Sequence, residues 1–292
     1  GKVLDILHGL SFENAGQLAS IAQMNMQCAR YESAHKSLEV AEKLKTNNSK
    51  VQLVRAQWLI EVKQAKLALK ALRPLVSKSN RKALELQIIA YESINYMKDA
   101  INTAKQLYTK YPIPINAHRL FLLLKKHNKV DEGLTVLELY LQKYDNINVQ
   151  RTLAFEYLQN GNVKNAEEAF NKLAQNYQDA NAYRQLALIK SKQGLISEAV
   201  ELAKSSYNVD SNSPAIAGTY GWLLVKSGQA EQGLAHLRFA NARDSRQPTL
   251  MFRLAETLLI LKQPKQAKTL FEKAVTYDFP DKNKALARLK SL

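Results

Sequence analysis

The chain has 292 residues, 46% of them hydrophobic, with only 10 glycines and 7 prolines, a balance that supports a packed helical protein and excludes disorder, collagen-like structure and a turn-rich β fold. Lysine and arginine number 42 against 26 acidic residues, a formal charge of +16 that favours acidic partners such as proteins, anionic glycans, nucleic acid or anionic lipid. The single cysteine, Cys28, excludes an internal disulfide and a cysteine-based metal site, and no apolar run approaches the ~18–20 residues of a membrane span.

The first stretch, residues 1–14, carries Val3, Leu4, Ile6, Leu7 and Leu10 and reads as the end helix of a preceding repeat. It lacks the charged-then-apolar pattern of an export signal. The chain opens on Gly1-Lys2-Val3-Leu4-Asp5 as though cut from a longer parent, so an upstream signal or lipid anchor is left open. From residue 15 onward a single pattern recurs. A small residue stands at Ala34, Ala68, Ala100, Gly133, Ala166, Ala199, Gly233 and Ala267, at intervals of 34, 32, 33, 33, 33, 34 and 34. Those eight positions divide the chain into units 15–48, 49–80, 81–113, 114–146, 147–179, 180–213, 214–247 and 248–281, with a capping helix over 282–292.

Each unit reads as two helices. The first carries apolar or small residues three or four apart, as in Leu153, Ala154 and Tyr157, or Tyr183, Leu186 and Ala187. A turn follows, centred on glycine at Gly161, Gly194 and Gly228, where a positive φ costs little. The second helix carries the small residue, then a large apolar one four later (Leu38, Leu72, Leu137, Phe170, Leu237, Phe271). Three further on comes another, such as Ala41, Leu75, Leu107, Leu173, Ala240 or Ala274. These spacings mark one buried stripe. Close helix crossing needs the small side chain, and stacking buries what no hairpin can bury alone. Prolines 112, 114, 214, 248 and 280 fall at unit boundaries, whereas Pro74 lies inside a second helix and predicts a kink.

The order of large apolar, Leu-small, Tyr/Leu, Gly turn, Ala, Phe/Leu, Ala and Pro on a period near 34 resembles the tetratricopeptide repeat over about residues 15–281. Asn25 and Lys190 depart from it where Tyr or Leu is usual. The resemblance implies an all-α fold, an α-α superhelix (right-handed solenoid) of about eight hairpins plus partial end helices. It also implies a partner face built from the first helices. The segment Thr219-Tyr220-Gly221-Trp222-Leu223-Leu224-Val225, with Gly228-Gln229-Ala230-Glu231-Gln232-Gly233-Leu234, is similar to the last repeats of TPR lipoproteins from bacterial PEP-CTERM exopolysaccharide systems. That similarity implies an exported, lipid-anchored parent; without it a cytoplasmic adaptor is expected.

No chemistry-bearing constellation accompanies the repeat. His8, His35, His118, His127 and His236 form no metal spacing, Cys28 has no activating neighbour pattern, and no glycine-rich phosphate loop occurs. Glu167-Glu168 reads as ordinary solvation of a helix face. No catalytic residue, metal or cofactor is expected. Counting along the register puts His118, Arg119, Lys125, Lys126, Arg151, Phe155, Arg184, Lys192, Trp222, Lys226, Phe252 and Arg253 on or near the partner face, with Glu256 opposing. Lys82 and Glu85 belong to the same face earlier in the chain. Arginine forks two hydrogen bonds to a carboxylate or phosphate. The competing reading makes these solvated charges, with the aromatics packed between helices. The asparagines of a chaperone-binding carboxylate clamp are missing: Gln23, Gln57, Ile89, Leu122, Phe155 and Leu188 stand in those places.

The expected function is a non-enzymatic interaction scaffold or adaptor, its partner an acidic protein or peptide, with anionic polysaccharide as second candidate. A nucleic-acid-binding helical repeat is the alternative. It is disfavoured by the spread of basic residues along the whole chain without a dense run.

Overall fold

The computed structural model describes residues 14–44 and 47–292, so the end helix expected over 1–14 lies outside the described residues apart from Asn14. Helix makes up 79% of the described residues, which contain no strand. Sixteen helices form eight consecutive hairpins. They are α1 (Ala15–Gln27) with α2 (Tyr31–Leu44), α3 (Ser49–Glu61) with α4 (Ala65–Val76), α5 (Arg81–Ser93) with α6 (Met97–Lys110), and α7 (Pro114–Lys126) with α8 (Val130–Leu141). There follow α9 (Ile147–Gln159) with α10 (Val163–Tyr177), α11 (Ala180–Lys192) with α12 (Ile196–Val209), α13 (Pro214–Lys226) with α14 (Ala230–Arg243), and α15 (Pro248–Ile260) with α16 (Pro264–Ala274). A last helix, α17 (Lys282–Lys290), covers the end. The contacts divide the chain into two compact units, Gly1–Val149 and Gln150–Leu292, the boundary falling within α9.

The residues on the repeat register are the ones the fold seals. Ala34, Ala68, Ala100, Ala166, Ala199 and Ala267 are inaccessible to solvent, as are the large residues four later, Leu38, Leu72, Leu137, Phe170, Leu237 and Phe271. Starts are capped by side chains that accept backbone N–H donors: Asn14, Asn48, Asn80, Asn162 and Asp179. Four helices instead open on proline at 114, 214, 248 or 264. Pro74 lies in the last turn of α4, which ends two residues later with the Ser77 amide donating to the Arg73 carbonyl. Proline withholds the N–H that would bond to Lys70, and the helix accommodates it within its last turn.

All eight hairpins close with one turn. The residue five before the small position has positive φ in every unit: Gly161 (75°), Gly194 (83°) and Gly228 (87°), but also Ala29 (57°), Lys63 (64°), Asn95 (59°), Asn128 (58°) and Lys262 (57°). The residue after it donates to the carbonyl five back, as in Asn162 to Tyr157 at 2.9 Å and Gln263 to Leu258 at 2.8 Å. This 6→1 bond satisfies a helix-end carbonyl that would otherwise be orphaned. Glycine was legible as a turn former; that lysine and alanine take the same left-handed conformation was not. A side chain there costs about 1 kcal/mol. Lys262→Gly should therefore stabilise the last hairpin by about 0.5–1 kcal/mol. Gly161→Ala should destabilise by a similar amount, though a β-carbon there meets nothing within 4 Å. Chemical denaturation of both variants checks this, and a destabilised Lys262→Gly would contradict it.

Within each unit the first helices touch one another as well as their own partners: α1 with α3 and α3 with α5, then α11 with α13 and α13 with α15. Side chains projecting from that row face outward from a common surface, and there the candidate site lies.

Candidate partner-binding face

In the first unit α5 and α7 enclose a cavity of about 350 Å³ lined by Glu92, Ile115, His118, Arg119, Leu122, Leu123 and Lys126. Three expected site residues, His118, Arg119 and Lys126, thus meet at one place. Ile115 (59% exposed) and Leu122 (48% exposed) supply apolar wall that the register did not single out. Lys126 reaches Glu92 at 3.6 Å, and Lys125 lies 5.8 Å from the centre of the Phe121 ring. Arg119 Nη1 is buried and donates to no partner among the described residues.

In the second unit the expected residues separate into three groups. The first is engaged in structure. Arg151 Nε donates to Asp179 Oδ2 at 2.7 Å, and Asp179 Oδ1 also accepts the Ala182 amide as the cap of α11, so Arg151 braces a helix start. Phe155 meets the inaccessible Phe170 edge-to-face, ring centres 5.2 Å apart. Phe252, at 6% exposure, belongs to the core with Phe271 and Phe279, 5.9 and 6.0 Å from their rings. The second group is exposed lysine: Lys192 at the end of α11, and Lys226, whose Nζ donates to Ser191 Oγ at 3.2 Å.

The third group is Arg184 on α11, Trp222 on α13 and Arg253 on α15. Arg253 lies 6.0 Å from the centre of the half-buried Trp222 ring, within reach of a cation–π interaction. Burial lowers the Arg184 pKa, and Arg184 Nε is sealed from solvent without a hydrogen-bond partner. Arg253 is pushed down to about 10, chiefly by burial; the Asp281 carboxylate opposes the shift and the charge of Arg184 adds to it. Both remain cations at neutral pH. Two guanidiniums on separate helices that feel each other's charge while partly withdrawn from water form an electrostatically costly arrangement.

Several acidic groups of the second unit are themselves paired. Glu256 accepts two hydrogen bonds from Arg288 of α17, at 2.9 Å from Nε and 3.1 Å from Nη2, and Asp281 accepts from Lys284 at 2.8 Å. Glu167, expected to be plainly solvated, is instead half-buried, accepting from Lys190 at 2.7 Å and from Gln193 at 3.2 Å. The Lys190 hydrogen bond holds its carboxyl below the usual carboxylate range. The polar Lys190 at a Tyr/Leu position thus has a local cause. Among the described residues no group of three or more potential metal ligands occurs, and no helix is long and apolar enough to cross a membrane.

The tetratricopeptide repeat family model matches residues 248–281, the α15–α16 hairpin. A chain of the APC/C hetero-tetramer Cut9–Hcn1 is similar in fold at 14% identity and a TM-score of 0.54, covering 99% of this chain and 58% of that one. This chain therefore spans little more than half the length of that protein. YrrB, described as a TPR protein with an unusual peptide-binding site, is similar at 16% identity and a TM-score of 0.51, covering 65% of this chain and 98% of that one. At such identities the likeness is one of fold. No curated protein sequence matches the chain. The match assigns a tetratricopeptide repeat to the α15–α16 hairpin, and these structures share the fold of the chain.

Proposed function

We propose that this tetratricopeptide-type array is a non-enzymatic interaction scaffold that holds an acidic polypeptide segment against its first helices, anchored at Arg184, Trp222 and Arg253. The observation that carries the reading is the pair of half-buried guanidiniums, neither of which donates a hydrogen bond to a described residue. Desolvated arginine beside tryptophan is the composition of an interface anchor. Several other positive charges are already matched: Lys126 by Glu92, Arg151 by Asp179, Arg288 by Glu256. Such pairing supports a discrete anchor and counts against the continuous basic track that a nucleic acid would follow.

The test is binding of a labelled glutamate-rich peptide, followed by fluorescence anisotropy at low ionic strength. Arg184→Glu and Arg253→Glu should each weaken it by about tenfold or more, roughly 1.4 kcal/mol, with the helical melting curve retained. Equal binding by wild type and the double variant would sink the anchor. Arg151→Glu is a poor probe, since it places a carboxylate against Asp179 and strikes a helix cap.

Within this reading we infer a place in a bacterial exopolysaccharide export or sorting system, supported by the Thr219–Val225 segment and its part-exposed Trp222. The glycines of that segment have a second cause in packing. A β-carbon on Gly221 would stand 2.8 Å from the Gly233 carbonyl oxygen, and one on Gly233 would stand 2.5 Å from that of Gly221. An anionic polysaccharide such as alginate that displaced the peptide and bound more tightly would turn the adaptor reading into a polymer-binding one.

A further inference from the structure

The charges around the second-unit anchor can be paired off. Glu256 is held by Arg288 and Asp281 by Lys284, each at hydrogen-bond distance. Arg184 then has no acidic neighbour, and Arg253 only the partial influence of Asp281. They project from α11 and α15, on either side of α13, whose residue at the register position of Arg184 is Gly218. The space a β-carbon would fill on Gly218 is taken by Leu250 Cδ2 of α15. The helices α11, α13 and α15 stand in consecutive contact, and Arg253 feels the charge of Arg184. Two like charges are thus partly stripped of water, and Arg184 Nε has no hydrogen-bond partner.

We propose that Arg184 and Arg253 form a two-arginine site for a phosphorylated side chain of the partner polypeptide, with the Trp222 ring as its apolar wall. The inference rests on the scaffold reading above and sharpens the ligand. A single carboxylate brings one charge and leaves the second guanidinium uncompensated. A phosphomonoester brings about −1.5 to −2 charge and three strong acceptor oxygens, enough to engage two planar forks at once. Arginine suits this geometry where lysine, a point charge, does not. The Trp222 face beside Arg253 offers contact for the carbon atoms that carry the phosphoryl group.

The experiment compares one acidic peptide in three forms, bearing phosphoserine, serine or glutamate at the same position, with inorganic phosphate as a competitor. The phosphoserine form should bind about 10–100-fold more tightly than the glutamate form, as expected for charge-assisted hydrogen bonds. That advantage should vanish in Arg184→Gln and in Arg253→Gln, both retaining the wild-type melting curve, and should largely vanish in Arg253→Lys. Inorganic phosphate should compete only far above the peptide's own Kd. Equal binding of the phosphoserine and glutamate forms would overturn the phosphoryl site while leaving the acidic-segment reading standing. Inorganic phosphate binding as tightly as the phosphopeptide would overturn a polypeptide source. Failure of all three peptides to bind would remove both.

Discussion

Phe271→Ala should cost the last hairpins about 3–5 kcal/mol, the range for deleting a buried aromatic ring. Phe271 is inaccessible to solvent and sits in a cluster with Leu237, Met251, Phe252, Leu258 and Phe279, against which Trp222 also packs. Its neighbours come from α14, α15 and α16, whose backbones are held by their own hydrogen bonds, so the vacated space collapses only in part. Stability in a stacked array is shared mainly with the nearest neighbours, so the loss should appear first as local opening. Hydrogen exchange should show α15 to α17 losing protection ahead of α11 and α12. Uniform loss along the second unit would mean that it unfolds as one cooperative body. The same variant should weaken partner binding, because Phe252, adjacent to Arg253, holds the position of α15.

Gly233→Ala should destabilise the α13–α14 hairpin by about 2 kcal/mol net. Alanine gains about 0.8–1 kcal/mol over glycine in a helix interior. Here the added methyl would stand 2.5 Å from the Gly221 carbonyl oxygen and 2.6 Å from Val225 Cγ2, below any tolerable contact. One of those obstacles is backbone, so no side-chain rotation clears it and the helices must part, at the upper end of the ~1–3 kcal/mol seen for overpacking. Gly133→Ala makes a useful contrast. Its β-carbon would meet the Phe121 ring at 2.9 Å and the Phe121 carbonyl oxygen at 3.3 Å, a milder clash. Urea denaturation should rank Gly233→Ala well below Gly133→Ala, and a stabilised Gly233→Ala would show that the two helices are not in backbone contact.

Much of the fold was legible because it depends on residue size at fixed spacing, a property written directly in the chain. Ala34, Ala166 and Ala267 had to be small whatever the partner, and each is sealed. The binding face was less legible, for a physical reason: the register states which way a side chain leaves its helix, not what it meets. Phe252 shares the register position of Arg184, yet it is core because Phe271 and Phe279 lie beside it. Arg151 shares that position too, but the capping carboxylate of Asp179 has taken its charge. Arg253, one residue later, replaces both as the companion of Arg184. Only the tertiary contacts decide such outcomes, and these involve residues about 20–30 apart whose pairing no local pattern announces.

The repeated left-handed turn has a consequence for how such a chain can change length. Because every hairpin closes through the same backbone conformation, whether glycine, asparagine, lysine or alanine supplies it, the path between the two helices of a block does not depend on the residue at its turn. A duplicated or excised block of about one period would leave its flanking blocks meeting across surfaces built to the same plan. The array can therefore gain or lose modules while the residues on its face diversify independently, separating the inheritance of its shape from that of its specificity.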